Sequence, residues 1–153
     1  MVRNVRAVVT ALMALGAWTL GSASPTEAAT MTGCPTTQAD LTALITGAGA
    51  GGTVLFNCSV ATTIPITSTM FIDQSVMLDG VNSQPVTFDG QNATQLFQVG
   101  TLGGPVTFTI NGLTLARGHS SGRGGVMRNF GTVQILNSLL VGNTAVNAAA
   151  TSA

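Results

Sequence analysis

Phe108-Thr-Ile-Asn-Gly-Leu-Thr-Leu-Ala-Arg-Gly118 and Val133-Gln-Ile-Leu-Asn-Ser-Leu-Leu-Val-Gly-Asn143 are one phrase written twice. A single constant shift lays Phe108 on Val133, Ile110 on Ile135 and Leu115 on Leu140. The glycine-rich run Gly122-Arg-Gly-Gly-Val-Met-Arg-Asn129 lies between the two. Apolar residues at every second place, interrupted by Gly and Asn, mark short strands joined by tight turns. A unit of this length cannot bury its apolar face alone and must stack on copies of itself. The expected fold is therefore all-β, a parallel solenoid in which equivalent side chains lie like on like, about 4.8 Å apart. Ile110 over Ile135 and Leu115 over Leu140 are the expected core ladders. Asn111, Asn129, Asn137 and Asn143 fall at turn-like points, where amides can hydrogen-bond from coil to coil.

Upstream, Thr53–Phe56, Thr63–Ile66, Met70–Ile72, Val76–Leu78, Val86–Phe88 and Leu96–Val99 read as further strands. Asp79-Gly80, Asp89-Gly90, Gly103-Gly104 and Asn111-Gly112 punctuate them, all turn-forming pairs. Asn-Gly and Asp-Gly also favour two-residue hairpins, so an antiparallel sandwich is the structural rival. The repeat speaks against that rival, because hairpins have no need of the same side chain at a fixed interval.

Four regions follow. Residues 1–29 carry Arg3 and Arg6, an apolar run from Ala7 to Leu20, then small residues, which is the order of a secretory signal peptide. The run falls short of the ~20 residues that cross a bilayer as a helix, so no transmembrane span is expected in the mature chain. Residues 30–50 form an N-terminal cap segment. In it, Thr36 to Ala48 reads as a short helix with Leu41, Leu44, Ile45 and Ala48 on one stripe. Thr37 with Asp40 has the spacing of a capping box, and Gly47–Gly52 ends the helix. Residues 51–145 are the solenoid coils, and 146–153 an irregular tail. The tail has neither strand alternation nor a capping pattern, and the chain reads as the N-terminal piece of a longer protein. Missing C-terminal coils or a capping partner are expected, since an open strand edge invites aggregation.

The two cysteines, Cys34 and Cys58, are most simply one structural disulfide in an exported chain. A competing reading takes Met31-Thr-Gly-Cys34 as a bacterial lipidation box, which would leave Cys58 without a partner. Neither cysteine has a His nearby in sequence, which gives no support to a thiol nucleophile or a zinc site.

The 153 residues hold five basic and five acidic side chains, with neither Lys nor Tyr. Beyond the leader the bases are Arg117, Arg123, Arg128 and His119, too few for a nucleic-acid footprint. The acids Asp79 and Asp89 precede Gly, where a side chain ordinarily satisfies its own turn. Asp40 belongs to the helix N-terminus and Asp73 to a turn. The one cluster of titratable groups is Arg117-Gly-His119-Ser-Ser-Gly-Arg123, between the repeats, and it is the candidate exposed loop. No carboxylate accompanies His119 in sequence to orient it for catalysis, so no catalytic, cofactor-binding or metal residue is assigned.

Gly124-Gly-Val-Met-Arg-Asn129-x-Gly131 followed by Val133-Gln-Ile-Leu-Asn-Ser138-x-Leu140-x-Gly-Asn143 resembles the repeat of bacterial right-handed parallel β-helix proteins. These are the pectate-lyase-like superfamily and the polymorphic outer membrane proteins. The latter carry Gly-Gly-Ala-Ile and a later Phe-x-x-Asn; here Val126-Met127 and Leu140 stand in. Cys34, the helical segment, Thr53–Cys58 and the Asp-Gly strand ends at Asp79 and Asp89 are similar to the N-terminal order of such proteins. The resemblance covers about residues 34–145. It implies a right-handed parallel β-helix with a capping helix, and it is weak for activity because such helices carry many unrelated functions. The function it implies is a non-catalytic secreted or cell-surface rod, structural or adhesin-like, meeting cell-surface components or a polysaccharide at the bacterial surface or outer membrane. The alternative is the front of a polysaccharide lyase or glycoside hydrolase whose catalytic coils lie beyond residue 153. A lyase of that kind needs acidic cation ligands with an Arg or Lys base, and a hydrolase needs clustered carboxylates.

Overall fold

Strands as short as those read from the sequence cannot stand alone, and each finds its partners one coil away rather than in a neighbouring hairpin. In a computed structural model, which describes residues 28–101 and 104–146, every strand pair is parallel. Residues 1–27, where a signal peptide is expected, and the tail from residue 147 lie outside the described residues. The first layer is β1 (Thr30–Gly33) with the helix α1 (Gln38–Ala48). The next coil is β2 (Gly52–Phe56), β3 (Thr62–Pro65) and β4 (Met70–Ile72), followed by β5 (Val76–Asp79), β6 (Val86–Asp89) and β7 (Phe97–Val99). A fourth layer holds β8 (Thr107–Asn111), β9 (Thr114–Ala116), β10 (His119–Ser120) and β11 (Met127–Asn129). The last described coil is β12 (Thr132–Leu136), β13 (Leu139–Val141) and β14 (Thr144–Ala145).

Three sheets run up the solenoid, ordered β1-β2-β5-β8-β12, β3-β6-β9-β13 and β4-β7-β11, with a small β10-β14 pair beside them. The hairpin alternative is thereby excluded, and the chain is a parallel β-solenoid with one short helix near its N-terminus. The repeat register is the one the sequence set: Phe108 beside Val133, Ile110 beside Ile135 and Leu115 beside Leu140. Between other coils the interval changes. Thr30 pairs with Thr53, a shorter step than that of the repeat, and Val76 pairs with Phe108, a longer one. The strands hold their stacking while the loops between them grow or shrink.

The core is a single column in which alternate strand residues point inward. Four rings climb it, Phe56 to Phe88 at 5.8 Å, Phe88 to Phe97 at 5.9 Å and Phe97 to Phe108 at 5.1 Å between centroids. Tilted and edge-on pairs at such spacings suit the aromatic quadrupole. Where this column would lie open at its lower end, α1 closes it with buried Leu41, Ile45 and Ala48, and with Leu44 half-buried. Thr37 is the N-cap, its hydroxyl oxygen accepting from the Asp40 amide. The Asp40 carboxylate does not complete a capping box; it accepts the Thr37 hydroxyl at 2.8 Å instead, being one methylene shorter than Glu. Cys34 and Cys58 form the disulfide, with Cα atoms 4.9 Å apart, so the lipidation reading of Cys34 is set aside. That bond fastens the layer bearing the helix to the coil above it.

Between coils the polar atoms form ladders. Asn137 donates to the Asn111 side-chain oxygen at 2.9 Å, and Asn111 donates to Asp79 at 3.3 Å. Asn143 reaches down to the coil below, accepting from Gly118 N and donating to Leu115 O. Asn129 departs from the expected pattern: its oxygen accepts from Gly131 N and serves only its own turn.

The upper end differs from the lower. Leu115 is fully buried, while Leu140, stacked directly on it, is 46% exposed; Ile135, on fully buried Ile110, is 38% exposed.

Candidate functional site

The sequence cluster Arg117–Arg123 does not stay together as a set of free side chains. Arg117 sits at φ +50, a left-handed turn that swings its side chain back along the solenoid. There its guanidinium forms a bidentate pair with the Asp89 carboxylate of the preceding coil, the Nε bond measuring 2.8 Å. The Asp89 side chain is only 7% exposed and Arg117's 53%. Asp89 also accepts from the Gln91 amide, the turn role its place before Gly90 predicts. The hydrogen bond from Arg117 is the largest influence on Asp89 and, against the cost of burial, holds its carboxyl below the usual range; Arg117 is pushed up in return. The pair clamps two coils together.

His119 lies in β10, its Nδ1 3.0 Å from the Thr144 hydroxyl of the last coil. Arg123 is set in a loop that the protein holds down. The Gln95 amide donates to the Arg123 and Gly124 carbonyls, and Gly122 N donates to the Ser120 hydroxyl. The Gly124-Gly125 pair is dictated by this closeness: a Cβ on Gly124 would strike the Met127 carbonyl, and one on Gly125 the Thr144 carbonyl. The loop from Gly118 to Gly125 is held to the coils by these contacts while Arg117, Ser121 and Arg123 stay exposed.

A second surface, which the sequence reading passed over, is built on the outer face of the β4-β7-β11 sheet. Alternation points Met70 and Ile72 into the core, so Phe71 between them must face out, and it is 68% exposed. Register places Gln98 beside Phe71 and Arg128 beside Gln98. The three form an outward row of phenyl, amide and guanidinium spaced about 4.8 Å apart. Arg128 lies over the Phe130 ring at 4.7 Å, a cation–π contact that steadies its long side chain.

Beside Phe71 a groove of about 460 Å³ runs between α1 and β4, lined by Gln38, Thr42, Thr46, Phe71, Asp73 and Gln74 among others. Two of its amides brace it. Gln38 accepts from the Thr67 and Ser68 amides and donates to the Ser68 carbonyl, and Gln74 donates to the Ile45 carbonyl at 2.8 Å. These bonds fix the helix against the strand, so the groove's walls are set before any ligand arrives. Among the described residues no three His, Cys, Asp or Glu side chains converge to hold a metal ion, and no helix is long and apolar enough to cross a membrane. Compared with protein-family models, with curated proteins and with solved structures, the chain matches none of them.

Proposed function

We propose that the chain is a non-catalytic β-solenoid scaffold, exported to the cell surface or the medium, that holds a polysaccharide against its β4-β7-β11 face. The observation that carries this reading is the row Phe71, Gln98 and Arg128 beside a preformed polar groove. An exposed phenyl on a flat sheet offers a platform for the C–H face of a sugar ring. The neighbouring amide, the guanidinium and the Asp73 carboxylate offer hydrogen bonds to its hydroxyls. A parallel sheet repeats these positions along one line, which suits an extended polymer better than a small molecule.

The wider resemblance supports the same reading. The Gly-Gly and Asn-Ser phrases at Gly124-Gly125 and Asn137-Ser138 resemble those of surface-displayed β-helix rods, and in this chain they serve stacking. Most of the charge likewise serves the frame. Asp40 accepts the hydroxyl of the N-cap Thr37, Asp79 holds the Val81 turn and Asn111, and Asp89 is bound to Arg117. A hydrolase or lyase would need such groups free and clustered.

The test is retention of the purified full chain on a panel of neutral and acidic polysaccharides, with Phe71→Ala alongside. Loss of a stacking ring worth about 1 kcal/mol lowers affinity some five-fold. Equal retention of the wild type and Phe71→Ala, or no retention of either, overturns the reading. Cleavage of pectin or a related polymer in the presence of calcium overturns the non-catalytic assignment.

A further inference from the structure

The groove between α1 and β4 offers hydrogen-bonding atoms of mostly one kind. Thr42 and Thr46 each donate their hydroxyl to a helix carbonyl, Gln38 O and Thr42 O, and keep only acceptor lone pairs for the groove they line. Gln38 is saturated, since it donates to the Ser68 carbonyl and hydroxyl and its oxygen accepts from Thr67 and Ser68. Gln74 gives an amide proton to the Ile45 carbonyl, which leaves its oxygen unused among the described residues. Asp73, exposed at the groove, has no ion-pair partner and accepts no hydrogen bond among the described residues. In this it differs from Asp40, Asp79 and Asp89, each bound to the frame.

We propose that this groove is a subsite for an ammonium group, and that the polymer held on this face is built of amino sugars with free amines. The inference rests on the polysaccharide reading above and specifies its ligand. A surface rich in acceptors and carrying one carboxylate is complemented by a positive group with several N–H donors and no acceptor, and an ammonium is such a group. Phe71 strengthens the match. It faces out from β4, and Asp73, two places on, is exposed as well, about 7 Å further along the chain. A sugar ring laid on the phenyl can therefore carry its amine toward the carboxylate. The face of the phenyl ring also attracts a cation in its own right.

Other sugars complement the groove less well. A neutral sugar leaves the Asp73 carboxylate without a counter-charge, and a uronate sets its own carboxylate against it. Arg128, the one charge of the row that suits an acid, stands two strands up the sheet, roughly 10 Å from Phe71. That exceeds the screening length of about 8 Å in physiological salt, and Arg128 is drawn onto the Phe130 ring. The preference for an amine is thus set at the α1 side of the face, where Asp73 is the nearest charge to the phenyl.

Calorimetric titration of the full chain with a glucosamine oligomer and with its fully N-acetylated counterpart tests this. Acetylation removes the charge and keeps the ring, so the amine form should bind about ten-fold more tightly. Asp73→Asn, which breaks no bond of the frame, should cut that ratio to about two-fold and leave the acetylated oligomer unchanged, whereas Phe71→Ala should weaken both. Equal affinity of the wild type for the two oligomers, or a ratio untouched by Asp73→Asn, overturns the inference and leaves the polysaccharide reading standing. Binding of neither oligomer overturns the inference, and the absence of any retained polysaccharide overturns the reading beneath it. Polylysine that binds through Asp73 more tightly than the glucosamine oligomer assigns the groove to a peptide cation and overturns the amino sugar.

Discussion

Leu115 and Leu140 are the same residue in the same place one coil apart, which makes them a matched pair for the openness of the upper end. Leu115 is fully buried, so Leu115→Ala loses the whole side-chain transfer energy and leaves a closed cavity, a cost of about 3–5 kcal/mol. Leu140 already has 46% of its surface in water. Its truncation forfeits about half the transfer term and leaves no closed cavity, for a cost of about 1 kcal/mol. The gap of roughly 2 kcal/mol or more corresponds to about thirty-fold in the folding equilibrium. Urea unfolding followed by far-UV circular dichroism, at low micromolar chain, reads both costs. Hydrogen exchange on the same variants tells fraying of the last coil from global loss, because in a solenoid the terminal repeat can open alone. Equal costs for the two variants in dilute solution would refute the stacking and the open end together.

Two further outcomes follow from the cross-coil links. Replacing both Cys34 and Cys58 with Ser should cost about 3 kcal/mol by releasing a loop of some two dozen residues, read as a lower urea midpoint. A loss under about 1 kcal/mol would mean that the α1 layer is held by packing alone. Asp89→Asn should cost about 1–2 kcal/mol, discounted because Arg117 is half in water. Asp89 is held below its ordinary value, so its contribution is complete above about pH 5 and lost as pH falls through the lowered value. The stability difference between wild type and Asp89→Asn should accordingly be flat from neutral pH to about pH 5 and shrink below about pH 4. A difference that grows on acidification would contradict the pairing.

The fold was legible because the strongest signal, alternation with a repeated apolar phrase, is what stacking requires. It was legible only once, at Phe108 and Val133, because elsewhere the loops change length while the register holds. Thr30–Gly33, His119–Ser120 and Met127–Asn129 escaped as strands for a physical reason. Such short pieces, rich in Thr, Gly, Ser and Asn, carry no alternation, and they extend only because a neighbouring coil offers its edge. Arg117 is exposed, but its nearest charges in sequence, His119 and Arg123, are not its partners. Its true partner, Asp89, is 28 residues earlier and comes within reach only through the coil register. The outward row on β4 and β7 was readable in part. Met70-Phe71-Ile72 alternates, and one of its three apolar side chains had to face solvent.

The same economy explains why chemistry is so hard to find in this chain. A solenoid buries a thin column, and each coil adds little core, so polar side chains must supply much of what links one coil to the next. Asn137 on Asn111 on Asp79, Asn143 on Gly118 and Arg117 on Asp89 are such links. A side chain engaged in two hydrogen bonds to the frame is not free to move a proton or hold a ligand. What remains for function is whatever the frame does not use, and on the described surface that narrows to outward positions such as Phe71, Gln98 and Arg128.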